Sequence, residues 1–133
     1  MKFMLDTNIC IYLIKQNPAK VIKHFKSHAI GDIGISSKTL AELRYGVSKS
    51  RHVEKNQQAL DEFVHSLEIV DFDEKAAREY GAVRAELERA GKPIGSMDML
   101  IGAHAHALGA TLVTNNTKEF KQIKNLKIAD WSV

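Results

Sequence analysis

Lys2-Phe3-Met4-Leu5-Asp6-Thr7-Asn8 decides how the chain is read, because a short apolar run there ends abruptly in a carboxylate. The same pattern returns at Ala110-Thr111-Leu112-Val113, which runs into Thr114-Asn115-Asn116. Apolar runs of this length suit short buried strands. Ile33 to Ile35 and Glu68 to Phe72 read as two more, and Leu126 to Ile128 as a last edge strand. Helical period fills the space between them. Glu54 to Leu67 sets Leu60, Phe63, Val64 and Leu67 at i, i+3, i+4 and i+7. Asp73 to Ala90 turns Ala76, Tyr80, Val83 and Leu87 to one side, and Gly91 stops it. Ile9 to Lys15 forms a first helix, and Pro18 sits in the first turn of the next. Ser36 or Ser37 caps a helix reaching Ser48, Ser96 caps one that Gly109 closes, and Phe120 starts a short helical piece. Strands alternating with helices predict an α/β protein with right-handed crossovers and a parallel sheet. In such sheets, sites lie beyond the carboxyl ends of the strands.

With 133 residues, 44% hydrophobic and 26% charged, the chain reads as one domain over residues 1–133, large enough for a real core. No apolar run approaches the roughly 20 residues of a membrane span. Asp6 interrupts the start too early for a signal peptide. Cys10 is the single cysteine, so a disulfide framework and a cysteine zinc site are excluded, and its apolar neighbours suggest core packing. A cytoplasmic protein without membrane contact is expected. The net charge of +3 is mildly basic. Lysines gather at Lys20, Lys23 and Lys26, and again at Lys118, Lys121, Lys124 and Lys127. Such clusters are either solvated surface or a face for phosphates.

Two more acids stand at comparable places. Glu42 lies in Ser36-Ser37-Lys38-Thr39-Leu40-Ala41-Glu42-Leu43, and Asp98 in Ile94-Gly95-Ser96-Met97-Asp98. Each has a plain alternative. Asp6 can cap the helix after it, Asp98 can be a first-turn acid favoured by the helix dipole, and Glu42 can be an exposed helix acid. Their joint convergence on one end of the sheet favours a site. Three carboxylates there would repel one another and their pKa values would rise, a penalty that a divalent cation removes. Thr7, Asn8, Ser37, Thr114 and Asn116 add hydroxyls and amides able to orient them. His104 and His106 are two apart and point to different faces, while His24 and His28 lack a third ligand. The ligands are therefore hard oxygens, which suit Mg²⁺ or Mn²⁺. Gly91-Lys92-Pro93-Ile94-Gly95-Ser96 lacks the spacing of a Walker loop and reads as the turn that delivers Asp98.

Met4-Leu5-Asp6-Thr7-Asn8, Ser36-Ser37 with Thr39 and Glu42, Pro93-Ile94-Gly95 with Asp98, and Val113-Thr114-Asn115-Asn116 with Phe120 together resemble the PIN-domain ribonucleases. Within that family the pattern is most similar to the VapC toxins of bacterial VapBC toxin–antitoxin pairs. The resemblance runs from about Met4 to Trp131. It implies a Rossmann-like α/β/α sandwich with a short parallel sheet, a Mg²⁺ or Mn²⁺ site and cleavage of RNA phosphodiester bonds. It also implies a homodimer held inactive by a VapB-type antitoxin, with DNA reached only through that antitoxin. The implied RNA is a tRNA, cut in the anticodon stem-loop of initiator tRNA. The family's acidic positions match Asp6, Glu42 and Asp98, the metal ligands of this reading, with Glu42 acting directly or through water. The frequent fourth acid falls at Asn116, a departure that weakens any second metal site. Thr7, Asn8, Ser37 and Thr114 are supporting positions.

Two other functions fit parts of the pattern. A nucleic-acid-binding module with a degenerate metal site is suggested by Asn116. A phosphatase of receiver-like fold would need a nucleophilic Asp with a Lys partner after a late strand, and Asn116 with Lys118 match that poorly.

Overall fold

The computed structural model describes residues 1–133. Five strands, β1 (Phe3–Leu5), β2 (Ile33–Ser36), β3 (Glu68–Val70), β4 (Thr111–Val113) and β5 (Ile128–Ala129), form one sheet in the order β3-β2-β1-β4-β5. Every neighbouring pair is parallel. Helices α1 (Thr7–Lys15) and α2 (Ala19–Lys26) join β1 to β2, and α3 (Ser37–Ser48) and α4 (Val53–His65) join β2 to β3. The long α5 (Glu74–Arg89) and α6 (Ser96–Leu108) lead to β4, and the short α7 (Thr117–Phe120) precedes β5.

Side chains alternate across a strand, and this sorts the core into two halves. Met4 and Leu112 belong to one cluster with Val83 and Leu87 of α5, Ile101 of α6, and Phe120. Their neighbours Leu5 and Val113 belong to the other, with residues of α1 to α4 and Trp131. Helices therefore cover both faces, and the expected α/β/α sandwich is observed. Cys10 is fully buried in the second cluster, as expected of a packing residue. No helix is long and apolar enough to cross a membrane.

Several details differ from the sequence reading. Gly95, not Ser96, is the N-cap of α6. Pro18 is the N-cap of α2 and lies just outside its first turn. Helix α7 ends at Phe120 and does not start there, because the fully buried Phe120 ring anchors its last residue. Strand β3 stops at Val70; Phe72 donates its N–H to Ser37 Oγ at 3.0 Å and leaves the ladder. Gly34 permits the close approach of β2 and β3, since a Cβ there would lie 2.5 Å from the Glu68 carbonyl oxygen. Trp131, buried just after β5, stacks on His24 at 5.7 Å and on His28 at 5.3 Å between ring centroids, which ties the end of α2 to the sheet edge.

β1 is flanked by β2 on one side and β4 on the other, so the strand order reverses across β1 and β4. A crevice opens at such a switch point, beyond the carboxyl ends of the strands. Leu5 pairs with Val113, so Asp6 and Thr114 leave the sheet side by side.

Candidate functional site

Asp6 follows β1 directly and is only 5% exposed. Its Oδ1 accepts the Ile9 N–H at 2.9 Å and thereby caps α1. The capping role is therefore real and compatible with a site, because it holds the carboxylate fixed at the strand end. The Thr114 hydroxyl also bonds Asp6, and its oxygen accepts the Asn116 N–H at 2.9 Å. Burial raises the Asp6 pKa, the Thr114 and Ile9 bonds oppose that, and the charges of Glu42 and Asp130 push it further up.

Glu42 lies in the second turn of α3 and is half-buried. Thr7, the first residue of α1, donates its hydroxyl to Glu42 Oε1 at 2.5 Å. The exposed-acid alternative for Glu42 therefore fails: a neighbouring element holds the side chain. Asp98 is the third residue of α6 and is also half-buried. Its pKa is pushed up to about 7, first by burial, then by the Glu119 carboxyl bonded to it, and further by the charges of Glu119, Asp6 and Glu42.

Glu119 is the residue that sequence reasoning missed. It sits on α7, and Asn116 donates its amide Nδ2–H to Glu119 Oε2 at 2.7 Å. A further carboxylate thus stands three residues after Asn116 and is bonded to it. A readable signal existed, since residues at i and i+3 face each other on a helix. It was lost because the helical piece was started at Phe120, which left Glu119 outside it.

The remaining candidates divide. Thr7, Thr114 and Asn116 touch the carboxylates. Ser37 does not; its hydroxyl is used by Phe72 N–H. Asn8 is exposed. Asn115 turns its amide to the Tyr12 hydroxyl at 2.8 Å. None of Asp6, Glu42, Asp98 and Glu119 forms an ion pair with a lysine, arginine or histidine. The cluster is rich in negative charge that the chain does not neutralise. Its carboxylates are not gathered into a ready-made ligand set, for no three of them stand close enough to share one ion as they are. Their oxygens are engaged by Thr7, Ile9, Thr114 and Asn116 instead.

This charge has a measurable consequence in protein treated with a chelator. The folded Asp98 carboxyl, at about 7, lies well above the ordinary carboxylate value of 3.8. Between those values the folded chain keeps a proton that the unfolded chain has released, so this contribution grows as pH falls through 7 and shrinks as it rises. His104 works in the opposite direction below about pH 6.5, because burial lowers its pKa. Comparing wild type with Asp98→Asn isolates the first effect. The variant should be more stable at pH 8 by about 1 kcal/mol, after discounting for solvent screening of a half-exposed group. The gap should narrow as pH falls below about 7 and close only near about pH 4. Urea unfolding at both pH values measures it, and a gap independent of pH would contradict the assignment.

Comparison with known proteins follows the same outline. A PIN domain family model matches residues 3–126. The chain is 52% identical to Ribonuclease VapC2 of Rickettsia felis, covering 98% of each. It is 46% identical to the tRNA(fMet)-specific endonuclease VapC of Shigella flexneri, covering 99% of each. Among solved structures, the DNA-bound VapBC of Salmonella typhimurium contains a chain that superposes with a TM-score of 0.94 at 44% identity, with 98% of both chains covered.

Proposed function

The chain belongs to the PIN domain family and, within it, to the VapC ribonucleases, and from that premise we propose that it cuts initiator tRNA in the anticodon stem-loop as the toxin of a VapBC-type pair. The carrying observation is the convergence of Asp6, Glu42, Asp98 and Glu119, without any cationic side chain, on the carboxyl ends of β1 and β4. The tRNA(fMet)-specific relative supports the choice of RNA.

PIN-domain ribonucleases depend on a divalent metal. The donor chemistry suits one: all are hard oxygens, and no cationic side chain pairs with Asp6, Glu42, Asp98 or Glu119. Mg²⁺ or Mn²⁺ would be held by Asp6, Asp98 and Glu42, the last directly or through water, with Glu119 as a fourth acid. A bound cation supplies a more acidic water and a polarised phosphoryl group. The chain's own residues do the rest. Asp98, pushed up to about 7 in the metal-free chain, would be held ionised beside a cation and serve as a ligand. Thr7 and Thr114 keep Glu42 and Asp6 in place. Asn116 orients Glu119.

RNA must approach a negative centre, so attraction has to come from elsewhere. Lys20, Lys23, Lys26, Lys118 and Lys121 are exposed and take part in no ion pair, which leaves them available to phosphates. The partner is a VapB-type antitoxin, as in the solved VapBC complexes. An antitoxin arginine would suit the carboxylates through its bidentate fork. The toxin acts as a homodimer in the cytoplasm and meets DNA only through the antitoxin. The non-catalytic alternative rested on Asn116, and Glu119 removes its motive.

The test uses antitoxin-free protein and total RNA. Fragments with a common cut should appear with Mg²⁺ or Mn²⁺, vanish on chelation and return when the ion is restored. Sequencing of the new ends should place the cut in initiator tRNA. Binding without cleavage at any metal concentration would revive the non-catalytic reading.

A further inference from the structure

We infer that His104, acting through Ser36, is a positioning residue that sets the spacing between Glu42 and Asp98. The inference rests on the metal-centre reading above and adds a residue to it.

Ser36 ends β2 and is the N-cap of α3, where its hydroxyl oxygen accepts the Lys38 N–H at 3.0 Å. The same oxygen lies 2.8 Å from His104 Nδ1 on α6. Ser36 is 0% and His104 1% exposed, so water cannot replace either partner. One hydroxyl thus joins a strand end, a helix start and a second helix. Because its oxygen already accepts from Lys38, its hydrogen is free to be donated to Nδ1, which leaves the imidazole neutral with its proton on Nε2. That Nε2 has no partner, and the Phe72 ring packs edge-on against the imidazole at 5.2 Å. A buried ring nitrogen without a partner works against stability. An apolar side chain would fill the space without that defect, so core packing does not account for a histidine here.

The helical spacing supplies the account. Glu42 is six residues after Ser36 on α3, and Asp98 is six residues before His104 on α6. Six residues of helix rise about 9 Å. α3 and α6 pack on each other, and Glu42 stands near enough to Asp98 for its charge to act there. The Ser36–His104 bond and the two carboxylates are therefore separated by about 9 Å along each helix. Shortening or removing the bond at one end slides α6 along α3 and changes the gap at the other. Asp6, fixed to β1 and α1, lies outside this frame.

The experiment compares His104→Leu, His104→Asn and Ser36→Ala with wild type, each at temperatures well below its own melting point. Asn carries an amide oxygen near the place of Nδ1 and can accept the Ser36 proton; Leu cannot. Calorimetric Mn²⁺ titration should show about tenfold weaker binding in His104→Leu and Ser36→Ala, the scale of losses when a group that orients a ligand is removed. RNA cleavage should fall about tenfold in kcat, with KM within about twofold because the lysines that attract RNA are untouched. His104→Asn should recover most of both losses. If His104→Leu fails to fold, Ser36→Ala carries the same comparison against His104→Asn. Wild-type Mn²⁺ affinity and kcat in both Ser36→Ala and His104→Leu would overturn the inference, as would losses that His104→Asn shares in full. If wild type itself binds no Mn²⁺, the metal-centre reading falls and takes this inference with it. Binding by wild type with unaltered variants overturns the inference alone.

Discussion

Asp6→Asn should slow RNA cleavage by at least about a hundredfold, the scale of losses when one group that stabilises charge at a reacting centre is removed. The fold should survive. Asn retains an oxygen at the position of Oδ1, so the Ile9 N–H keeps its acceptor and α1 keeps its cap. The change therefore removes the charge and alters the bond to Thr114 while sparing the helix cap. Removing one negative group from a cluster that contains no cationic side chain should also make chelator-treated protein slightly more stable, since Asp6 is one of the charges acting on Asp98. RNA binding should persist, because it depends on the lysines. Cleavage kinetics in Mg²⁺, with circular dichroism and melting curves on the same samples, provide the comparison. A wild-type rate in a folded Asp6→Asn protein would remove Asp6 from the centre.

Glu119→Gln should cost about tenfold in cleavage and leave a distinctive mark on its pH dependence. Gln still offers an oxygen to the Asn116 amide, so α7 keeps its local contact. The carboxyl beside Asp98 is lost, however, and with it the largest influence on Asp98 after burial. The Asp98 pKa should then fall. Ionised Asp98 persists at lower pH, so the acid limb of the pH–rate profile should move toward acid. Asn116→Ala should cost less, because it removes only the donor that orients Glu119. Rates measured from pH 5 to 8 separate these cases. An unmoved acid limb in Glu119→Gln would show that Glu119 does not act on the group that limits cleavage. Equal losses in Asn116→Ala and Glu119→Gln would make the amide as important as the carboxylate.

Strands, long helices and their order were legible in the sequence because apolar runs and helical period are local signals. Phe3–Leu5 and Thr111–Val113 emerge with nearly their observed bounds. Asp6, Glu42 and Asp98 could be singled out because each follows a recognisable local feature. Glu119 carries a weaker signal, because α7 is a single turn that ends on the buried Phe120 and has no periodic pattern to mark it. Ser37 is expected as a hydroxyl that orients the carboxylates, yet the backbone of Phe72, 35 residues away, takes it. The His104–Ser36 bond spans 68 residues and carries no local signature at all. Histidine spacing could show that His104 and His106 do not share an ion, but not that one is a buried strut while the other bonds Glu79 on α5.

Trp131, stacked on His24 and His28 where the sheet edge meets α2, is the only tryptophan in the chain. The protein therefore contains one indole, and its ultraviolet emission comes from a single known place. Its surroundings are apolar on the sheet side, and two imidazole faces cover it on the helix side. Its emission then follows the seating of the last strand and the contact of those two rings. An unlabelled sample can in this way signal optically whether α2 has lifted from the sheet edge, for example when an RNA or a protein partner settles on its lysines.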